Sequence, residues 1–140
     1  MPKATFYTHV SHAEAFICRL AQRAVQSGRV LVWAEGAAAA DRLDAELWRF
    51  EPAGFLAHEM WQSGEWPQDV PLLLGAGADL PAVPADWVVL NVSPEFWCDA
   101  ARPPARVLEI VGSRLEAFAE ARERFKAYQH QGYEIEHHHM

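Results

Sequence analysis

The sequence predicts an α/β fold: one domain with a mainly parallel, twisted sheet of about five strands and helices on both faces. Three observations carry this. Apolar, β-rich runs recur that are too short to be helices; amphipathic helical patterns stand between them; and the 140 residues show no repeat, linker or shift in composition that would divide the chain. Apolar residues make up 51% and charged residues 22%, the balance of a chain that buries a core without disulfides or metals.

The elements follow in order. Residues 4–10 mix Thr, Phe, Tyr and Val as a strand does, and Ser11 precedes a helical pattern over 13–26 that stops at Gly28. In that helix Phe16, Leu20, Arg23 and Ala24 fall along one side, with Ile17 and Ala21 beside them. Val30-Leu31-Val32-Trp33 is a strand covered on both faces. A second helix, 37–50, carries Leu43, Leu47 and Phe50 at helical spacing and ends at Glu51-Pro52. Residues 51–70 hold Pro52, Gly54, Gly64 and Pro67 among Phe55, Trp61 and Trp66, which reads as a long loop with apolar content. Three more buried strands are expected at 72–74, 87–92 and 107–111. Ser93-Pro94-Glu95 is read as opening a short helical turn with Ser93 as its cap. The last helix runs over 113–131 to Gly132, with Leu115, Phe118 and Ala119 toward the core, and 133–140 is expected as a C-terminal tail. The run His137-His138-His139-Met140 is read as part of that tail, without a function.

Composition excludes several function classes. A net charge of -7 and a pI near 5.4 oppose direct binding to nucleic acid, which is driven by neutralising phosphates. The charge is uneven, however: Arg102, Arg106, Arg114, Arg122, Arg124 and Lys126 are half of the 12 basic residues, so a local basic patch is expected near the end. Cys18 and Cys98 lie in apolar segments with no neighbour at metal-ligand spacing, as expected of reduced, buried thiols in a cytoplasmic protein. No apolar run is long enough for a signal peptide or a bilayer span, so neither export nor a membrane is expected.

The motifs of catalysis are largely missing. There is no G-x-x-x-x-G-K-[ST], and the only lysines, Lys3 and Lys126, stand in no glycine-rich turn. Gly75-Ala76-Gly77 lacks the third glycine of a dinucleotide fingerprint, and no G-x-S-x-G elbow is present. Asp41, Asp44 and Glu46 read as solvated helix carboxylates that pair with Arg42 or Arg49. No cofactor, metal or catalytic residue is assigned. The rival reading is a small α/β enzyme using His9 and His12, with Glu35, at the C-terminal edge of the sheet.

Three blocks carry a family resemblance. The first is Ala4-Thr5-Phe6-Tyr7. The second is Gly28-Arg29-Val30-Leu31-Val32, then Ala40-Asp41-Arg42-Leu43-Asp44-Ala45-Glu46-Leu47-Trp48 and Phe55-Leu56-Ala57-His58. The third is Arg122-Glu123-Arg124-Phe125-Lys126-Ala127-Tyr128 with Gly132-Tyr133. Together they resemble the chi subunit of bacterial DNA polymerase III, the R-L-D-x-x-L-W and R-E-R-[FY]-K-x-Y stretches being the specific ones. The resemblance implies a nucleotide-binding-like topology without a phosphate loop, in a non-catalytic accessory subunit associated with the clamp loader. It further implies that the chain binds the acidic, phenylalanine-ended C-terminal tail of single-stranded-DNA-binding protein, touching DNA only indirectly, and that it works as a monomer or a 1:1 heterodimer.

The residues of the third block suit that ligand. Arg122 and Lys126 are four apart and so share a helix face, with Phe125 between them. Cations for carboxylates and an apolar slot for a ring are what such a tail needs. Arg124 and Tyr128 are expected to extend the patch. The competing reading pairs Arg122 and Lys126 with Glu120 and Glu123 as ordinary surface ions. For the psi subunit, or another second partner, the resemblance implies Trp48 and Phe55, against a competing reading of core packing; the segment 61–71 departs from the family pattern.

Overall fold

The structure is a computed structural model and describes residues 2–49, 57–62, 64–67, 69–112 and 115–140. Along the chain come β1 (Lys3–Val10), α1 (Ala13–Ala24), β2 (Arg29–Ala34), α2 (Ala37–Arg49), β3 (His58–Met60) and β4 (Leu72–Ala76). β5 (Trp87–Asn91), β6 (Arg106–Gly112), α3 (Leu115–His130) and β7 (Glu134–His139) complete it, with a 3-10 turn at Trp97–Asp99. Among the described residues the strands form one sheet in the order β3-β4-β2-β5-β6-β1-β7. Every neighbouring pair is parallel.

Alternation along each strand divides the core in two. Val30, Val32, Leu72, Leu74, Val88, Leu90 and Leu108 face Ile17, Leu20 and Ala21 of α1 and Ala40 and Leu43 of α2. The residues between them, Leu31, Trp33, Leu73, Val89 and Val107, face the other way, with Phe6 of β1 and Tyr128 of α3. The α/β class and the helices on both faces are therefore as the sequence predicts. Gly75 in β4 pairs with Trp33 in β2. A Cβ on Gly75 would lie 2.6 Å from the Trp33 ring, so the indole takes the space that a side chain would need.

The sheet has seven strands where about five are expected, and the two extra ones are its edges. β3 is three residues long inside the segment read as loop, too short to show a periodicity. β7 occupies the residues read as tail. Ile135 is its only apolar side chain, and polar groups hold its other positions: Lys3 Nζ meets Glu136 at 2.7 Å. A polar edge strand resists pairing with other chains, and that polarity hides it in a hydrophobic pattern.

The turns also differ in detail. Ser93 Oγ accepts the Glu95 N–H at 3.2 Å, yet the helical turn begins only at Trp97, after an extended Phe96. His12, not Ser11, is the N-cap of α1. Gly132 ends α3 as expected, at φ 87°.

Connections leave β2 toward the β3 edge and leave β5 toward the β7 edge, with α1 and α2 on one face and α3 on the other. Beyond the C-terminal ends of β2 and β5 the fold therefore leaves a crevice. Glu35, Ser93, Pro94, Glu120 and Arg124 border it, with a volume of about 290 Å³.

Candidate functional site

α3 carries most of the residues singled out by the sequence, and a buried carboxylate fixes how the helix lies. Glu109 is the one charged residue in the run Val107-Leu108-Glu109-Ile110-Val111, and β6 turns it inward, fully buried. A carboxylate in such a place is tolerated only with partners. Arg124 Nη1 donates to it at 3.0 Å, the Tyr128 hydroxyl at 2.7 Å and Asn91 Nδ2 at 3.1 Å. Burial pushes the Glu109 pKa up, opposed by Arg124 and the hydrogen bonds from Tyr128 and Asn91. Burial and the neighbouring Glu109 also push the Tyr128 phenol upward, so it remains a donor. Arg124 reaches further, to the Pro94 carbonyl at 2.5 Å, and Asn91 Oδ1 accepts the Ser93 hydroxyl at 2.6 Å. One network thus joins β5, β6, α3 and the turn after β5.

That network distributes the expected tail-binding residues unequally. Arg122 and Lys126 stand exposed on the outer side of α3. Phe125 is half-buried, its ring 5.9 Å from Phe6. Arg124 keeps only 16% of its side chain exposed, against Glu109, and Tyr128 is fully buried against Phe6, Phe96 and Tyr133. The structure brings Arg122, Phe125 and Lys126 to the surface together, whereas Arg124 and Tyr128 turn inward. Leu115 and Ala119, expected toward the core, are exposed, Leu115 at 82%; Phe118 does pack against the core. The physical reason is that α3 rotates to bring Arg124 and Tyr128 onto Glu109, which carries Leu115 and Ala119 outward.

The second expected face lies elsewhere. Trp48 of α2 is 55% exposed, its ring 4.6 Å from His58 at the start of β3. Phe55 lies outside the described residues. Trp61 and Trp66 stack at 4.1 Å, and Trp66 packs on Trp87, so part of the segment read as loop belongs to the core. β3 and β7 are the opposite edges of the sheet, six strand spacings or about 29 Å apart. Trp48 and the α3 cations therefore stand on opposite faces, with Trp48 beside the β3 edge.

The histidines of the rival reading have other neighbours. His9 lies against His139 and Phe118, and the N-cap His12 makes no side-chain capping bond. Glu35 lines the crevice. Among the described residues no three His, Cys, Asp or Glu side chains are grouped to hold a metal. Cys18 and Cys98 are both free, and burial pushes each thiol up to about 11. No helix of the described residues is long and apolar enough to cross a membrane.

Sequence reasoning missed Glu109, Asn91 and the pairing of His9 with His139. For Glu109 a signal existed: a lone carboxylate inside a buried strand demands a partner, and Arg124 and Tyr128, four apart on one helix, can supply it together.

Residues 1–136 of the chain match the family described as DNA polymerase III chi subunit, HolC. No curated protein matches the chain in sequence.

Proposed function

The chain belongs to the DNA polymerase III chi subunit family, a non-catalytic accessory subunit of the polymerase, and from that premise we propose that it is an adaptor for the acidic C-terminal tail of single-stranded-DNA-binding protein. Arg122, Phe125 and Lys126 make the contact. The observation that carries this is their joint exposure on α3: two cations four residues apart, with a half-buried aromatic edge between them. Ionised carboxylates of the tail pair with the cations, and its terminal phenylalanine lies on the ring of Phe125. Arg124 and Tyr128 contribute from beneath, by holding α3 on Glu109.

The psi subunit, or another second partner, takes the Trp48 face, with Phe55. Distance supports this division: faces on opposite sides of the sheet let one small protein hold two partners at once and link the clamp loader to coated single-stranded DNA in the cytoplasm. The same geometry suits a 1:1 complex with psi. The enzyme reading has no comparable support, since His9 is stacked on His139 and Glu35 borders a crevice on which His9 does not open.

Calorimetric titration with a peptide of the tail type tests the proposal. Arg122→Ala and Lys126→Ala should each weaken binding by about 1–3 kcal/mol, and affinity should fall as salt rises. A wild-type chain that gives no heat with the peptide at high concentration refutes it.

A further inference from the structure

β1 and β7 end side by side, and the residues there form a cluster of imidazoles. Register places His137 beside Phe6, His138 beside Tyr7 and His139 beside Thr8. Alternation then puts Ile135, His137 and His139 on the α3 face of the sheet, and His138 on the other, where it stacks on Tyr7 at 5.1 Å. His9 adds a third ring to the α3 face. Among the described residues it is the only non-glycine with positive φ, 61°, and the β1 register shifts around it. Its ring lies parallel to that of His139, with centroids 3.7 Å apart, and 4.7 Å from Phe118. Thr8 Oγ1 bridges His137 Nε2 at 2.7 Å and His9 Nδ1 at 3.1 Å. Backbone strain in a residue other than glycine persists where its surroundings hold it, and it concentrates at binding sites.

Phe118 connects this cluster to the cationic face. Phe118, Arg122 and Phe125 stand four and seven residues along α3, which is one stripe. Phe125 packs on Phe6, whose neighbour in β7 is His137. The helix stripe, the floor of β1 and the imidazoles of β7 therefore border one surface.

The charges around His9 are few. On α3 the stripe offers Arg122, while Glu120 lines the crevice at the other flank of the helix. On β6 the neighbour of Val10 is Gly112, which carries no charge. On β7 the groups that act on His9 are His139 and His137; their repulsion and its partial desolvation lower its pKa, desolvation being the larger cause. Arg114 is outside the described residues. No carboxylate of the described residues is hydrogen-bonded to His9, His137 or His139, whereas His138 has Glu136 at 2.7 Å.

Three clustered imidazoles to which no side-chain carboxylate of the described residues is bonded, on the same face as two lasting cations, suit a ligand that brings several carboxylates. We infer that His9, His137 and His139 are a protonatable extension of the tail-binding face, which takes the aspartates that precede the terminal phenylalanine and tightens its hold as pH falls. This rests on the tail-binding reading above. Each proton comes from solvent to a ring nitrogen; bound carboxylates favour the protonated imidazoles, and by reciprocity the protonated protein binds the peptide more tightly by the same factor.

The test is calorimetric titration of the full chain with a peptide of three aspartates and a C-terminal phenylalanine, from about pH 8 to about pH 5.5, where aspartates stay ionised. Wild-type affinity should rise by about five- to tenfold over that range. In the triple variant His9→Asn, His137→Gln, His139→Gln the profile should flatten; asparagine is chosen at position 9 because it tolerates the positive φ there. Titratable groups common to both proteins, His12, His130 and His138 among them, cancel in the comparison. The imidazole proton resonances of His9 should titrate at higher pH with peptide present than without. A variant that keeps the wild-type slope, or resonances that the peptide does not move, overturns the histidine extension while loss of binding in Arg122→Ala still upholds the tail reading. A wild type that fails to bind at any pH overturns both.

Discussion

Replacing Arg124 by alanine should destabilise the fold by about 3–5 kcal/mol, the range for leaving one member of a buried ion pair alone. The magnitude follows from the site. Glu109 has 1% of its side chain exposed and receives one charged donor, Arg124 at 3.0 Å, beside the neutral donors Tyr128 and Asn91. Without the guanidinium those two must support a full charge away from water, and the Pro94 carbonyl loses its donor as well. The pH dependence has a definite sign. The pKa of Glu109 is already raised by burial, and Arg124 is the largest influence opposing that rise. In the variant it climbs further, so stability lost on the alkaline side of that pKa is recovered as pH falls and the carboxyl takes a proton. The penalty, measured as wild type minus variant at each pH, should therefore shrink toward acid. Urea unfolding followed by tryptophan fluorescence at several pH values measures it, with Lys126→Ala as an exposed control expected to lie within about 0.5 kcal/mol of wild type. Glu109→Gln in the Arg124→Ala background should recover part of the loss. An Arg124→Ala penalty no larger than that of Lys126→Ala, and the same at every pH, would refute the argument.

Two further outcomes concern the core. Gly75→Ala should destabilise the fold by about 1–3 kcal/mol, read as a lower urea midpoint at unchanged slope, because its Cβ would meet the Trp33 ring; Trp33 cannot turn aside while its Nε1 holds the Gly77 carbonyl at 2.9 Å. An unchanged midpoint would mean that the two strands separate without strain. Cys18 and Cys98, with thiols pushed up to about 11, should react with a disulfide reagent near pH 8 far more slowly in the folded chain than in urea. Equal rates folded and unfolded would show that burial does not protect them.

Much of the fold was readable in the sequence. Runs such as Val30-Leu31-Val32-Trp33 are apolar at every position because both faces of the sheet are covered, and that alone implies strands with helices on either side. The missing phosphate loop, the cationic spacing of Arg122 and Lys126, and the family resemblance needed no coordinates either. β3 and β7 did need them, since a strand that owes its place to backbone bonds along an edge leaves little side-chain pattern. Tertiary structure also decided the rotation of α3. Arg122, Arg124, Lys126 and Tyr128 are equally plausible surface residues when read along one helix. The carboxylate of Glu109, distant in sequence and buried beneath the helix, draws Arg124 and Tyr128 inward and leaves Arg122 and Lys126 outside. Likewise, His9 and His139 are neighbours only because β1 and β7 lie in register. A sequence records which groups can ionise or pack; which of them meet depends on strand order and helix rotation, and those are set by contacts between segments far apart along the chain.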